Sequence, residues 1–199
     1  MSATNRGTPR ASADFYVTPS FCVYRLLERL DLPGGKWLEP CAGDGAIIRA
    51  VNRVRSDVQW YAGEIRAECE EELLPLVHRP RRLWLGRFSL SFNPLRQRHY
   101  SVIFTNPPYN QAEQFIHDCL PLADYTVMLL RLNFWGSDRR QRFLQRHAPD
   151  TYVLPNRPAF VGGKTDATEY AWLVWHGARV RHHGRILVLD STTVADRAA

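Results

Sequence analysis

Segments of strand character alternate with segments of helical periodicity along most of this chain, and few architectures accept that pattern. Thr18-Pro19 opens the first helical segment, with the threonine suited to cap free amides and the proline suited to the first helical position. Val23, Leu26, Leu27 and Leu30 then recur on one helical face, and Pro33-Gly34-Gly35 ends the segment. A strand at 36–38 runs into a loop at 39–45, after which Ala46, Ile47, Ala50, Val51 and Val54 follow at helical spacing. Further strands are expected at 58–62, 82–85, 101–105 and 125–130, and further helices at 66–76, 111–120 and 137–146. Segments 151–154, 169–175 and 185–189 also read as strands, but no long helix separates them. The expected fold class is therefore α/β and Rossmann-like, with a mainly parallel central sheet and an antiparallel strand near the C-terminal end. Ligands of such sheets bind beyond the carboxyl ends of the strands, near the switch in strand order. That rule selects the loops after Leu38, Ala62, Leu85 and Thr105.

With 199 residues, the chain is expected to form a polar, disordered arm at 1–13 and one domain at 14–199. The longest apolar stretches, near 127–130 and 170–175, are far short of a membrane span, and the N-terminus has no secretory apolar run. Cysteines at 22, 41, 69 and 119 form no CxxC pair, so neither a zinc site nor a disulfide framework is indicated, and a reducing cytoplasm is expected. His182-His183 lacks a third ligand, and no metal is expected. A net charge of +6 suits a polyanionic partner without requiring one.

Three groups of residues carry chemistry. Glu39-Pro40-Cys41-Ala42-Gly43-Asp44-Gly45 places two glycines between a strand and a helix, where backbone approaches a ligand closely and the helix N-terminus is positive. The same glycines also suit a purely structural turn. Neither GxGxxG nor GxxxxGK[ST] is present, which disfavours dinucleotide and phosphate-loop readings. Glu64, after the second strand, suits both hydroxyls of a ribose, or else is a solvated loop carboxylate. Asn106-Pro107-Pro108-Tyr109 is the sharpest signal, because two prolines rigidly present an amide, backbone carbonyls and an aromatic ring. Cys41 reads as a packing residue. Arg131, Arg139, Arg140, Arg142 and Arg146 form a basic cluster in which 139, 142 and 146 share a helical face, suited to phosphates or simply solvated.

Together with Phe15-Tyr16-Val17-Thr18-Pro19, these motifs stand in the order of the gamma group of S-adenosylmethionine-dependent N6-adenine DNA methyltransferases. Over residues 14–176 the chain resembles that family, in particular its small solitary members from phages and prophages. The resemblance implies a single class I methyltransferase domain, without a separate target-recognition domain, in the bacterial host cytoplasm, with S-adenosylmethionine as cofactor. It implies that Thr18 and the Gly43 and Gly45 backbone hold the methionine part, Asp44 its amino group and Glu64 the ribose. Ile65 and Phe88 would pack on the adenine, and Tyr16, Glu39, Pro40, Ala42 and Asn106 complete the cofactor set. Arg87 departs from the family, which commonly has Asp there facing the cofactor's adenine amine. The catalytic set is Asn106, Pro107, Pro108 and Tyr109, and the substrate set Tyr109, Phe160, Arg139, Arg142 and Lys164, with the loop Gly162-Gly163-Lys164-Thr165 as a candidate lid.

The implied partner is DNA, with no membrane, and the protein is expected to be a monomer or dimer. RNA adenine or protein glutamine is the alternative acceptor, because members of those groups carry the same catalytic tetrapeptide. A cytosine-N4 enzyme more often has Ser and Trp at the Asn and Tyr positions. A non-catalytic nucleic-acid-binding relative is the alternative of a different class.

Overall fold

The computed structural model describes residues 17–160, 168–177 and 184–193. The elements follow the expected alternation: α1 (Ser20–Arg29), β1 (Gly35–Glu39), α2 (Ala46–Val54), β2 (Val58–Glu64), α3 (Glu70–Val77) and β3 (Leu83–Leu85). Then come β4 (Tyr100–Thr105), α4 (Ala112–Cys119), β5 (Ala123–Arg131), α5 (Gln141–Arg146), β6 (Asp150–Val153), β7 (Tyr170–His176) and β8 (Ile186–Val188). Eight strands form one sheet in the order β3-β2-β1-β4-β5-β7-β6-β8. The pairs from β3 through β5 are parallel, β7 is antiparallel to both β5 and β6, and β8 is parallel to β6. This is the Rossmann-like α/β class expected from the alternation. The antiparallel strand is β7, inserted between β5 and β6.

Alternate residues of each strand face opposite sides of the sheet. Trp37, Phe104, Leu129 and Trp172 belong to the core that includes Leu26, Ile47, Ile48 and Leu73 of α1, α2 and α3. Leu38, Ile103, Leu130 and Leu173 belong to a second core with Ile116 of α4 and Leu144 of α5. Burying each such side chain contributes about 1.5–3 kcal/mol. Trp172 Nε1 donates to the Cys22 carbonyl at 2.8 Å, tying β7 to α1.

Two local expectations are corrected. Thr18 does not cap α1: Pro19 occupies the cap position, and no side chain caps the helix. The threonine hydroxyl is instead engaged by Asn106. The basic segment 137–146 is not one helix. It divides into a 3-10 turn, Asp138–Arg140, and the short helix α5, so Arg139 and Arg146 do not share a continuous helical face.

Candidate functional site

Strand order reverses at β1: β2 and β3 lie on one side of it, β4 and β5 on the other. The loops after β1 and β4 therefore diverge and leave a crevice between them. A cavity of about 430 Å³ opens there, lined by the 39–44 loop, Glu64–Arg66, Gly86–Ser89, Thr18, Asn106, Pro108 and one face of α4.

The 39–45 loop needs its glycines. Gly43 and Gly45 have φ of 58° and 85°, in the left-handed region, and a Cβ on Gly45 would run into Leu76. Asp44 accepts from the Ala46 amide at 3.0 Å, at the start of α2, and pairs with Arg49 at 2.8 Å. The Gly43 amide donates to Glu64 Oε2 at 2.7 Å, and Glu64 Oε1 accepts from the Arg66 amide (3.1 Å) and from Arg66 Nε (3.0 Å). The carboxylate is thus oriented from two sides at the end of β2.

Glu39 is 2% exposed, and its Oε2 has no hydrogen-bond partner among the described residues. Burial pushes its carboxyl well above the usual range, and the nearby charges of Asp44 and Glu64 add to the effect. Burial also raises the Cys41 thiol well above its ordinary value, which suits packing rather than a nucleophile. Ile65 sits exposed on the rim, while Phe88 is buried and stacks on Phe115 of α4 with ring centroids 6.0 Å apart. Arg87 is exposed and lines the cavity beside Phe88.

At the other end, Asn106 Nδ2 donates to the buried Thr18 hydroxyl at 3.1 Å. With its nitrogen engaged, the amide has its carbonyl oxygen as the group to offer a ligand. Pro107 is buried and Pro108 lines the cavity. Tyr109 is not among the lining residues. It starts a 3-10 turn, Tyr109–Gln111, and its ring tilts against Tyr170 at 5.6 Å with the Arg131 guanidinium 4.9 Å from its centroid. Burial first, then Tyr170, raises the Tyr109 hydroxyl well above its ordinary value. Phe160 packs edge-on against the same Tyr170, at 5.1 Å. The structure thus brings Asn106, Tyr109 and Phe160 to one region, with Tyr170 between the two aromatic candidates.

The other substrate candidates are not gathered there in the same way. Arg139 pairs with Glu113 at 3.2 Å, and Arg140 lies over Phe134 with its Cζ 4.4 Å from the ring. Arg142 is exposed on α5. Tyr16, Lys164 with its glycine loop, and His182-His183 lie outside the described residues. Among the described residues there is no cluster of His, Cys, Asp or Glu suited to a metal, and no helix long and apolar enough to cross a membrane. Arg66, Tyr170 and the α4 face were not singled out from sequence, and Arg131, read there as part of a basic cluster, lies over the Tyr109 ring. The α4 face was readable, since Gln111, Gln114 or Phe115, and Asp118 recur at helical spacing within the expected 111–120 helix. Arg66 and Tyr170 carry no local signal.

No protein-family model matches the sequence, and no curated protein matches it. Solved structures do match. A Listeria monocytogenes protein described as a class I S-adenosylmethionine-dependent methyltransferase superposes with a TM-score of 0.63 at 12% identity, covering 92% of this chain and 68% of that one. A Pyrococcus horikoshii protein described as an RNA methyltransferase gives 0.62 at 12% identity, covering 86% and 90%. The modification subunit of a type I restriction enzyme from Vibrio vulnificus gives 0.56 at 16% identity, covering 87% of this chain and 46% of that one. The chain has the Rossmann-like fold of these proteins.

Proposed function

We propose that this protein transfers a methyl group from S-adenosylmethionine to the exocyclic N6 amine of adenine in DNA by direct displacement. The observation that carries the reading is the Asn106–Thr18 hydrogen bond, which orients an amide on the cavity wall three residues before Tyr109, whose ring joins Tyr170 and Phe160 in one aromatic cluster.

The cavity fits the cofactor. Its volume, the backbone at Gly43, the oriented Glu64 carboxylate and the Glu39 oxygen without a partner among the described residues suit a ligand with a cationic amino acid end and a ribose, while Gly45 does not line the cavity and packs toward Leu73 and Leu76. Thr18 and the 39–45 loop would hold the methionine part, Glu64 the ribose hydroxyls, and Ile65 and Phe88 the adenine. When bound, S-adenosylmethionine supplies a methyl group on a sulfonium, already a strong electrophile.

The protein's task is then to position a weak nucleophile. The lone pair of an adenine amine is delocalised into its ring. The Asn106 side-chain oxygen and the Pro107 carbonyl accept hydrogen bonds from that NH2 and stabilise the positive charge that grows as nitrogen attacks. No covalent enzyme intermediate is needed. Tyr109 and Phe160 would flank a base taken out of its stack. The net charge of +6 supports a nucleic-acid acceptor over a protein one. The neighbouring folds include an RNA methyltransferase and a restriction-modification subunit, and the family resemblance of the Asn106–Tyr109 motif favours DNA adenine between those acceptors.

The test offers labelled cofactor with duplex DNA, single-stranded DNA, RNA and a protein extract, and digests labelled nucleic acid to nucleosides. Label in N6-methyladenine from DNA is expected. Label in RNA or protein overturns the substrate, and no label with no cofactor binding overturns the enzyme reading. Asn106→Ala is expected to lower transfer at least ~100-fold, well beyond any loss of cofactor affinity that follows from freeing Thr18. Full activity of that variant contradicts the mechanism.

A further inference from the structure

The Phe88–Phe115 side of the cavity carries one carboxylate that the reading above does not use. Asp118 lies one turn beyond Phe115 on α4 and lines the cavity. Its side chain is 11% exposed, and its Oδ1 accepts from Arg96 Nη2 at 3.1 Å. The Arg96 guanidinium in turn sits over the Phe88 ring, 5.8 Å from its centroid. Asp118 is therefore anchored beside the Phe88–Phe115 pair rather than free in solvent.

We propose that Asp118 accepts a hydrogen bond from the exocyclic amine of the cofactor's adenine and so sets the preference for that base. The inference rests on the cofactor reading above. A flat purine needs an apolar wall, which Phe88 and Phe115 supply, and an edge partner that distinguishes an amine from a carbonyl. A carboxylate only accepts, so it favours the amine of adenine and repels the carbonyl that replaces it in hypoxanthine. Gln114 and Ser89, which also line the cavity, both donate and accept and so discriminate weakly. Arg87 only donates and does not serve an amine. Arg96 acts as a positioning residue, since its bond to Oδ1 holds the carboxylate and leaves Oδ2 for the ligand.

The experiment measures calorimetric affinity of the full chain for S-adenosylhomocysteine and for its inosine counterpart, S-inosylhomocysteine. Wild type is expected to favour the adenine ligand about 10- to 100-fold. Asp118→Asn places a donor amide at the same volume and is expected to bring that ratio to within about threefold. Glu64→Gln is expected to weaken both ligands alike and leave the ratio at its wild-type value, which separates base recognition from ribose recognition. Thermal melts establish that each variant is folded. An unchanged ratio in folded Asp118→Asn overturns the assignment and leaves the cofactor reading standing. If wild type binds neither ligand, the cofactor reading falls and this inference falls with it.

Discussion

Two carboxyl groups in this protein are equally hidden and oppositely treated. Glu39, at the end of β1, and Asp150, at the start of β6, are each 2% exposed. Asp150 accepts from the Arg185 backbone amide at 2.9 Å and from its guanidinium at 2.6 and 3.1 Å, with His176 Nε2 at 3.6 Å. Burial works against its ionisation, but the Arg185 hydrogen bonds and charge outweigh it and hold the carboxyl below its ordinary value. Glu39 is buried beside Asp44 and Glu64 and has an oxygen without a partner among the described residues, and its carboxyl is held high. The difference separates architecture from binding. A carboxylate that joins the far strands is satisfied by the fold itself, whereas the one that lines the cavity keeps an oxygen that no described residue satisfies, which is why the proposed function gives it to the cationic end of a ligand.

Removing each group tests that contrast most directly. Asp150→Ala is expected to lower unfolding stability by about 2–3 kcal/mol, because it strips buried hydrogen bonds, while leaving cofactor affinity unchanged. Denaturant unfolding and calorimetry read the two quantities, and a loss of affinity without a loss of stability breaks the comparison. Glu39→Gln is expected to do the reverse. It weakens S-adenosylmethionine at least ~10-fold and does not lower ligand-free stability. Unchanged affinity there removes Glu39 from the binding set.

The smallest effects are in pH dependence. The Asp150 contribution is present above its ordinary value of 3.8 and is lost as pH falls through its lowered folded value. An acid titration of stability followed by fluorescence should therefore show a steeper fall in wild type than in Asp150→Ala. Glu39 has the opposite sign. Its contribution is full below its ordinary 4.5 and is lost as pH rises through its raised folded value. Ligand-free wild type should lose that increment on the rising side and Glu39→Gln should not. Saturating cofactor should flatten the slope by pairing with the ionised form.

Much of the fold was legible because period and punctuation are local properties. The strands ending at Glu39, Glu64, Leu85 and Thr105, and the helices that follow all of them but the third, are legible in apolar spacing and Gly and Pro placement. So did the gathering of Glu39, Glu64 and Asn106 at one crevice, since a doubly wound sheet brings its strand ends together. The misreadings have one cause. Thr18 has the chemistry of a cap, yet its hydroxyl is taken by Asn106, 88 positions away. The 137–146 segment has helical spacing, yet it breaks where Arg140 Nε donates to the Phe134 carbonyl at 2.8 Å and its guanidinium covers that ring.

What the sequence by itself determined, then, is the alternation, the class of sheet and the rigid Asn106–Tyr109 turn, all written in spacings of a few residues. The tertiary structure alone decided which distant groups complete each other. It set Arg96 against Asp118, Tyr170 between Tyr109 and Phe160, and Arg185 against Asp150, while leaving one oxygen of Glu39 without a partner among the described residues. The physical reason is that hydrogen bonds and ring contacts act over a few ångströms of space, and only packing the strands and helices together fixes which residues lie within that range.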